Sequence, residues 1–182
     1  MRYSSGMPGG VMPGAGAYPQ MPEIQMTMAN SQILGYLGRA LSLEFSAGQH
    51  YLAQASLAKF RNEINYAEAF VTLANEELQH ANLITDRMVA QGALPAGSVL
   101  RPATPSMNII EALRSCEERE VALIQLYTEA TQYCANLGAQ EDHALFSRLL
   151  IEEQDQLKRV HSWIEEYYQT LTMSQKPPGS FV

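Results

Sequence analysis

Between about residue 30 and residue 170, apolar side chains return every three or four positions in four long runs, the period of helices that bury one face. The first run opens at Asn30 or Ser31, either of which can cap a helix, and extends to about Ala58. The second reaches from near Asn62 to Gln91, where Gly92 and Pro95 stop it. The third spans roughly Met107 to Leu137 and ends at Gly138, and the fourth spans roughly Gln140 to Thr170. Short connections after the first and third runs make each an antiparallel neighbour of the run that follows. The stretch from Gly92 to Ser106, rich in Gly, Ala and Pro, is long enough to carry the chain from one end of a bundle to the other. The pattern predicts an all-α, antiparallel four-helix bundle over residues 30–171, with a long crossover between helices two and three. Flanking tails occupy 1–29 and 172–182.

Each apolar stripe is interrupted by an acid. Helix one reads Leu34, Leu37, Leu41, Glu44, Gly48, Tyr51 and Ala55 along one face. Helix two reads Ala67, Phe70, Ala74, Glu77, His80, Ile84 and Met88, and helix three Ile109, Leu113, Cys116, Glu120, Leu123, Tyr127 and Ala130. Helix four reads Phe146, Leu149, Glu153, Gln156, Val160 and Ile164. Burying one unpaired carboxylate costs several kcal/mol, and four facing one another would repel or have to bind protons. His80 is the lone nearby side chain able to carry positive charge, so two divalent cations are the simplest remedy. Carboxylate oxygens with an imidazole suit iron or manganese. Glu77 and His80, three apart, share a helical face and can reach one ion.

The acids belong to an internal repeat. Glu44, Gln49, Tyr51, Glu76 and Glu77 recur as Glu120, Gln125, Tyr127, Glu152 and Glu153, an offset of 76 residues. Within each copy 33 residues separate the first Glu from the last, as expected of two helical hairpins stacked together. A rival register pairs Glu152 with Asp155 instead of Glu153 with Gln156, but it breaks that symmetry and turns away from the apolar stripe. Tyr51 and Tyr127 lie two turns from Glu44 and Glu120 on the same faces, placed either to pack with satisfied hydroxyls or to bond a ligand carboxylate and pass an electron. Tyr51 is the candidate catalytic residue. Gln49 and Gln125 lie off the inner faces, and His50, His143 and His161 fit surface or packing roles.

Composition narrows the partners. With 19 acidic and 12 basic residues the net charge is −7, which leaves no footprint for nucleic acid or an anionic membrane. No run of apolar residues is long enough for a membrane span, and no secretory signal is evident. Cys116 and Cys134 are 18 residues apart on one predicted helix. That is about 27 Å, too far to bridge, which points to a reducing cytoplasm. The N-terminal tail holds six of the nine methionines with many Gly and Pro, and reads as disordered. Its thioethers suit soft metals, and its length suits docking on a protein partner.

Glu44 with Tyr51, Glu77-Leu78-Gln79-His80, Glu120 and Glu152-Glu153 at these separations resemble the ferritin-like di-iron carboxylate proteins, and bacterioferritins above all, over about residues 31–170. The resemblance implies that Glu44 and Glu120 each bind one metal terminally, that Glu77 and Glu153 bridge the two, and that His80 completes the first position. The family's second histidine is replaced by Gln156, whose amide oxygen is a neutral and weaker ligand. Also implied are two Fe ions (or Mn), oxidation of Fe(II) by O2 or peroxide, and a homo-oligomer. Leu78 stands where bacterioferritins place the haem-binding methionine, so no haem is expected. Lys176, Pro177, Pro178 and Gly179 stand where cage-forming members carry a fifth helix, which argues against a 24-subunit shell. Two alternatives stay open: oxidation of a small organic substrate, and a non-catalytic scaffold whose metal site has degenerated at Gln156.

Overall fold

A computed structural model describes residues 28–96 and 99–174, and contains four helices: α1 (Met28–Phe60), α2 (Ile64–Ala90), α3 (Ile109–Leu137) and α4 (Gln140–Ser174). Both tails lie largely outside the described residues. Every residue of the four acid-bearing stripes is buried except Leu34, which is half-buried against the same core. A buried Leu, Phe or Ile contributes roughly 1.5–3 kcal/mol relative to its exposed state, so these faces fix which way each helix is turned.

The helix ends follow local chemistry. Asn62 adopts a left-handed conformation (φ 60°) in the turn between α1 and α2, so α2 starts at Ile64 and not at Asn62. Asn108 is extended, and its side-chain oxygen accepts the Glu111 N–H at 2.9 Å, which places the start of α3 at Ile109, after Asn108 and not at Met107. Glu111 in turn accepts the Met107 N–H at 2.8 Å. Gly138 closes α3 with φ 69°, a conformation that a side chain would strain. α4 continues to Ser174, beyond Thr170.

α1 packs closely on α2 and α3 on α4, the two hairpins join mainly through α1 and α3, and the α2–α4 seam is the most open. The crossover runs along α1. The Arg101 N–H donates to Ser46 Oγ at 3.0 Å, Gln54 Nε2 donates to the Thr104 carbonyl at 2.8 Å, and Arg61 Nη1 donates to the Ser106 carbonyl at 3.1 Å. These bonds give the connecting segment partners along the helix that it covers. At the other end of the bundle Arg87 pairs with Asp142 and Glu141, tying the end of α2 to the start of α4.

Candidate metal centre

One carboxylate from each helix meets at mid-bundle. Glu44, Glu77, Glu120 and Glu153 are all fully buried, and His80 and Gln156 nearly so. Ligand atoms of Glu44, Glu77, His80 and Glu153 lie within 4.8 Å of one another. His80 turns Nδ1 into this group, 2.8 Å from Glu153 Oε1, 3.6 Å from Glu44 Oε2 and 3.8 Å from Glu77 Oε2. Its Nε2 faces the other way, 3.0 Å from Glu152 Oε2. A carboxylate behind a ligating imidazole fixes the ring's tautomer and orientation. Glu152 therefore lies at the edge of the group, while Glu153 sits in its interior. The sign of Glu152 in the sequence was its equivalence to Glu76; its reach to His80 depends on how α2 and α4 are spaced.

Gly48 sets the approach of α1 to α2. A Cβ there would stand 3.4 Å from the Glu77 Cβ and 3.5 Å from the Ala74 carbonyl oxygen, so anything larger than alanine would push into Glu77. The stripe position that lacks a side chain makes room for the acid on the facing helix.

Burial is the main reason that Glu77 and Glu153 hold their protons well above the ordinary carboxylate range, and the charges of neighbouring glutamates add to it. Burial likewise lifts Glu120 to about 7. For His80 burial opposes the charged ring, but its contacts with Glu153 and Glu44 prevail and raise it to about 10. Even so, both oxygens of Glu77, Oε2 of Glu44, of Glu120 and of Glu153, and both amide atoms of Gln156 are buried without a hydrogen-bond partner. Native interiors rarely leave so many polar atoms unsatisfied, and here they converge on one place. The donor set of oxygens and one imidazole nitrogen fits a pair of divalent ions of the iron or manganese type.

The tyrosines pair across the bundle. Tyr51 on α1 donates to Glu120 Oε1 on α3, and Tyr127 on α3 donates to Glu44 Oε1 on α1. A carboxylate seven residues away on the same helix is about 10 Å distant along the axis, beyond a phenol's reach, whereas the neighbouring helix offers one alongside. Both hydroxyls are fully buried, and burial first, then the adjacent glutamates, keeps them protonated. Tyr51 thus touches Glu120, which lies outside the four-residue group.

His50 is fully buried: its Nε2 lies 2.8 Å from Ser115 Oγ, and burial with the Arg119 charge lowers it to about 4. That polar contact between α1 and α3 left no mark in the repeat. Gln49 and Gln125 are exposed, and Cys116 and Cys134 are buried free thiols. Among the described residues no helix is long and apolar enough to cross a membrane.

A bundle of this connectivity with inward carboxylates on all four helices defines the ferritin-like class. The family model of the ferritin-like domain matches residues 34–170, and the chain belongs to that family. Among solved structures it is similar to the bacterioferritin of Rhodobacter capsulatus, with a TM-score of 0.74 and 22% identity, covering 84% of this chain and 98% of that one. That structure is described as having a metal-free dinuclear site and a haem iron. The expectation of no haem, drawn from Leu78, therefore finds no support in the likeness of fold. No curated protein matches the sequence.

Proposed function

We propose that the chain binds iron inside the bundle and oxidises Fe(II) with O2 or peroxide, using two positions of unequal strength. Glu44, Glu77, His80 and Glu153 would hold the first ion, and Glu77, Glu120, Glu153 and Gln156 the second. Glu44 and Glu120 are the terminal ligands in this reading and Glu77 and Glu153 the bridges. The observation that carries it is the convergence of unpartnered buried donor atoms. Iron supplies the one-electron oxidation steps that dioxygen or peroxide requires, and manganese fits the same donors.

The remaining work falls to the chain. Ion entry requires the carboxyls to give up their protons, and His80 must become neutral at Nδ1 while its Nε2 keeps a proton facing Glu152. Tyr127 and Tyr51 orient the terminal carboxylates by donating one hydrogen bond each. Tyr51, as the candidate catalytic residue, acts at the Glu120 side. A cavity of about 310 Å3 opens at the α2–α4 seam, with His80 and Gln156 in its wall beside Glu76, Arg148, Glu152 and Arg159. Its charged lining supports passage of ions over an apolar organic substrate. Exposed Leu52, Val71 and Leu78 on the α1–α2 hairpin support assembly as a homo-oligomer.

Anaerobic titration with Fe(II) followed by oxygen tests the reading. About two irons per chain, bound with different affinities and giving a near-ultraviolet oxo-bridge band on oxidation, are expected. Absence of tight uptake would refute it. Gln156 supports a second reading, a binding protein with a weakened centre, for which uptake would occur without oxidation.

A further inference from the structure

We propose that the two ion positions differ in kind as well as in strength: the one beside His80 takes Fe(II), and the one beside Gln156 selects Mn(II) when both metals are offered. The inference rests on the iron-binding reading above. In that reading Glu77 and Glu153 serve both positions, and Glu44 and Glu120 serve one each, so the carboxylates are divided equally. What distinguishes the positions is the residue three places after each bridging acid, His80 on α2 and Gln156 on α4. Both residues line the cavity of about 310 Å3 at the α2–α4 seam, so both positions meet the same mixture of ions.

The first position has a nitrogen donor with support behind it. His80 Nδ1 lies 2.8 Å from Glu153 Oε1, in one group with Glu44 and Glu77. Its other nitrogen is 3.0 Å from Glu152 Oε2, and Arg148 Nε donates to Glu152 Oε1 at 2.8 Å. An imidazole backed by a carboxylate is held in one tautomer and is a stronger base towards an ion.

The second position departs from this at each step. Gln156 offers an ion only its amide oxygen, which carries no charge. Glu76, the counterpart of Glu152 in the repeat, is taken up by Arg159: Nη1 donates to Glu76 Oε1 at 3.1 Å, and Nη2 donates to the other oxygen. Both amide atoms of Gln156 are left without a partner although the residue is only 2% exposed. The repeat is thus broken in the donor atom and in the carboxylate behind it together.

Such donor sets discriminate between ions of equal charge. Affinity rises from Mn(II) to Fe(II), and imidazole suits iron, whereas carboxylate and carbonyl oxygens suit manganese. Neutralising the buried carboxylates does not separate the two metals, because either ion brings the same charge. The donor atom at positions 80 and 156 therefore sorts them. Fe(II) is drawn to the imidazole, and Mn(II) meets weaker competition in the all-oxygen set of Glu77, Glu120, Glu153 and Gln156.

The full-length protein is incubated without oxygen in equal concentrations of Fe(II) and Mn(II) and crystallised, and anomalous diffraction is recorded at both metal edges. The ratio of manganese to iron beside Glu120 and Gln156 is expected to exceed that beside His80 several-fold. Gln156→His should bring the two ratios together. Gln156→Glu, which keeps an oxygen donor and adds charge, should preserve the difference. Equal ratios at the two wild-type positions, or a second position that takes neither metal while the first fills, overturn the sorting and leave iron binding intact. An interior without metal in crystals soaked with Fe(II) alone overturns the iron-binding reading and the sorting together.

Discussion

Stripped of metal, the bundle is expected to lose stability as pH rises above neutrality. His80 carries the effect. Its folded pKa of about 10 exceeds the ordinary 6.5, so the folded chain keeps a proton that the unfolded chain releases. Stability from this source is complete below pH 6.5 and declines as pH climbs towards 10. Each pH unit inside that window changes stability by about 1.4 kcal/mol per proton held. Raising pH from 6.5 to 8.5 therefore costs about 2–3 kcal/mol, a large share of a typical domain's margin. Glu77 and Glu153, also held above their ordinary range, act with the same sign. Below pH 6.5 Glu120, lifted to about 7, joins Glu77 and Glu153 in favouring folding as pH falls, whereas His50, lowered to about 4, resists protonation and opposes them. Urea unfolding with chelator present, at pH 5.5, 6.5, 7.5 and 8.5, should show a fall over all three intervals, the first moderated by His50. With Co(II) present the trend should reverse, because the ion replaces protons on these side chains. His80→Gln should flatten the fall in the metal-free protein. A metal-free stability that stayed level or rose between pH 6.5 and 8.5 would refute the reasoning.

Three further outcomes are expected. Gln156→His should tighten the weaker ion position and quicken iron oxidation, seen as a narrowed gap between the two binding steps in calorimetry. Gly48→Val should press on Glu77, destabilise the fold by about 1–3 kcal/mol and reduce metal uptake, measured by unfolding and Co(II) absorption. Asn108→Ala should cost about 1 kcal/mol through loss of the α3 cap while leaving metal stoichiometry unchanged, which separates helix stability from site geometry.

The bundle was legible because each helix buries one face, and three- and four-residue spacing records that face directly. Positions such as Phe70, Leu113 and Phe146 are buried as their stripes require. The four inward acids were legible for the same reason, since a Glu in an apolar stripe has one direction to point. Helix ends were less so: Asn62 and Asn108 both suit turns and caps, and the backbone geometry alone shows which task each performs. Contacts between helices left the weakest trace. The pairing of Tyr51 with Glu120, the reach of Glu152 to His80 and the bond of His50 to Ser115 all depend on the registry of one helix against another, which no single stripe encodes. The repeat hinted at the tyrosine pairs by placing a Tyr seven residues after Glu44 and after Glu120, but the partner it suggested was on the wrong helix.

Anomalous diffraction at the iron edge, from a crystal soaked anaerobically with ferrous salt, tests the central claim most directly. The account predicts a strong peak enclosed by Glu44, Glu77, His80 and Glu153 and a weaker one beside Glu120 and Gln156. An interior without iron density, its carboxyls bonded to one another through their own protons, would contradict it.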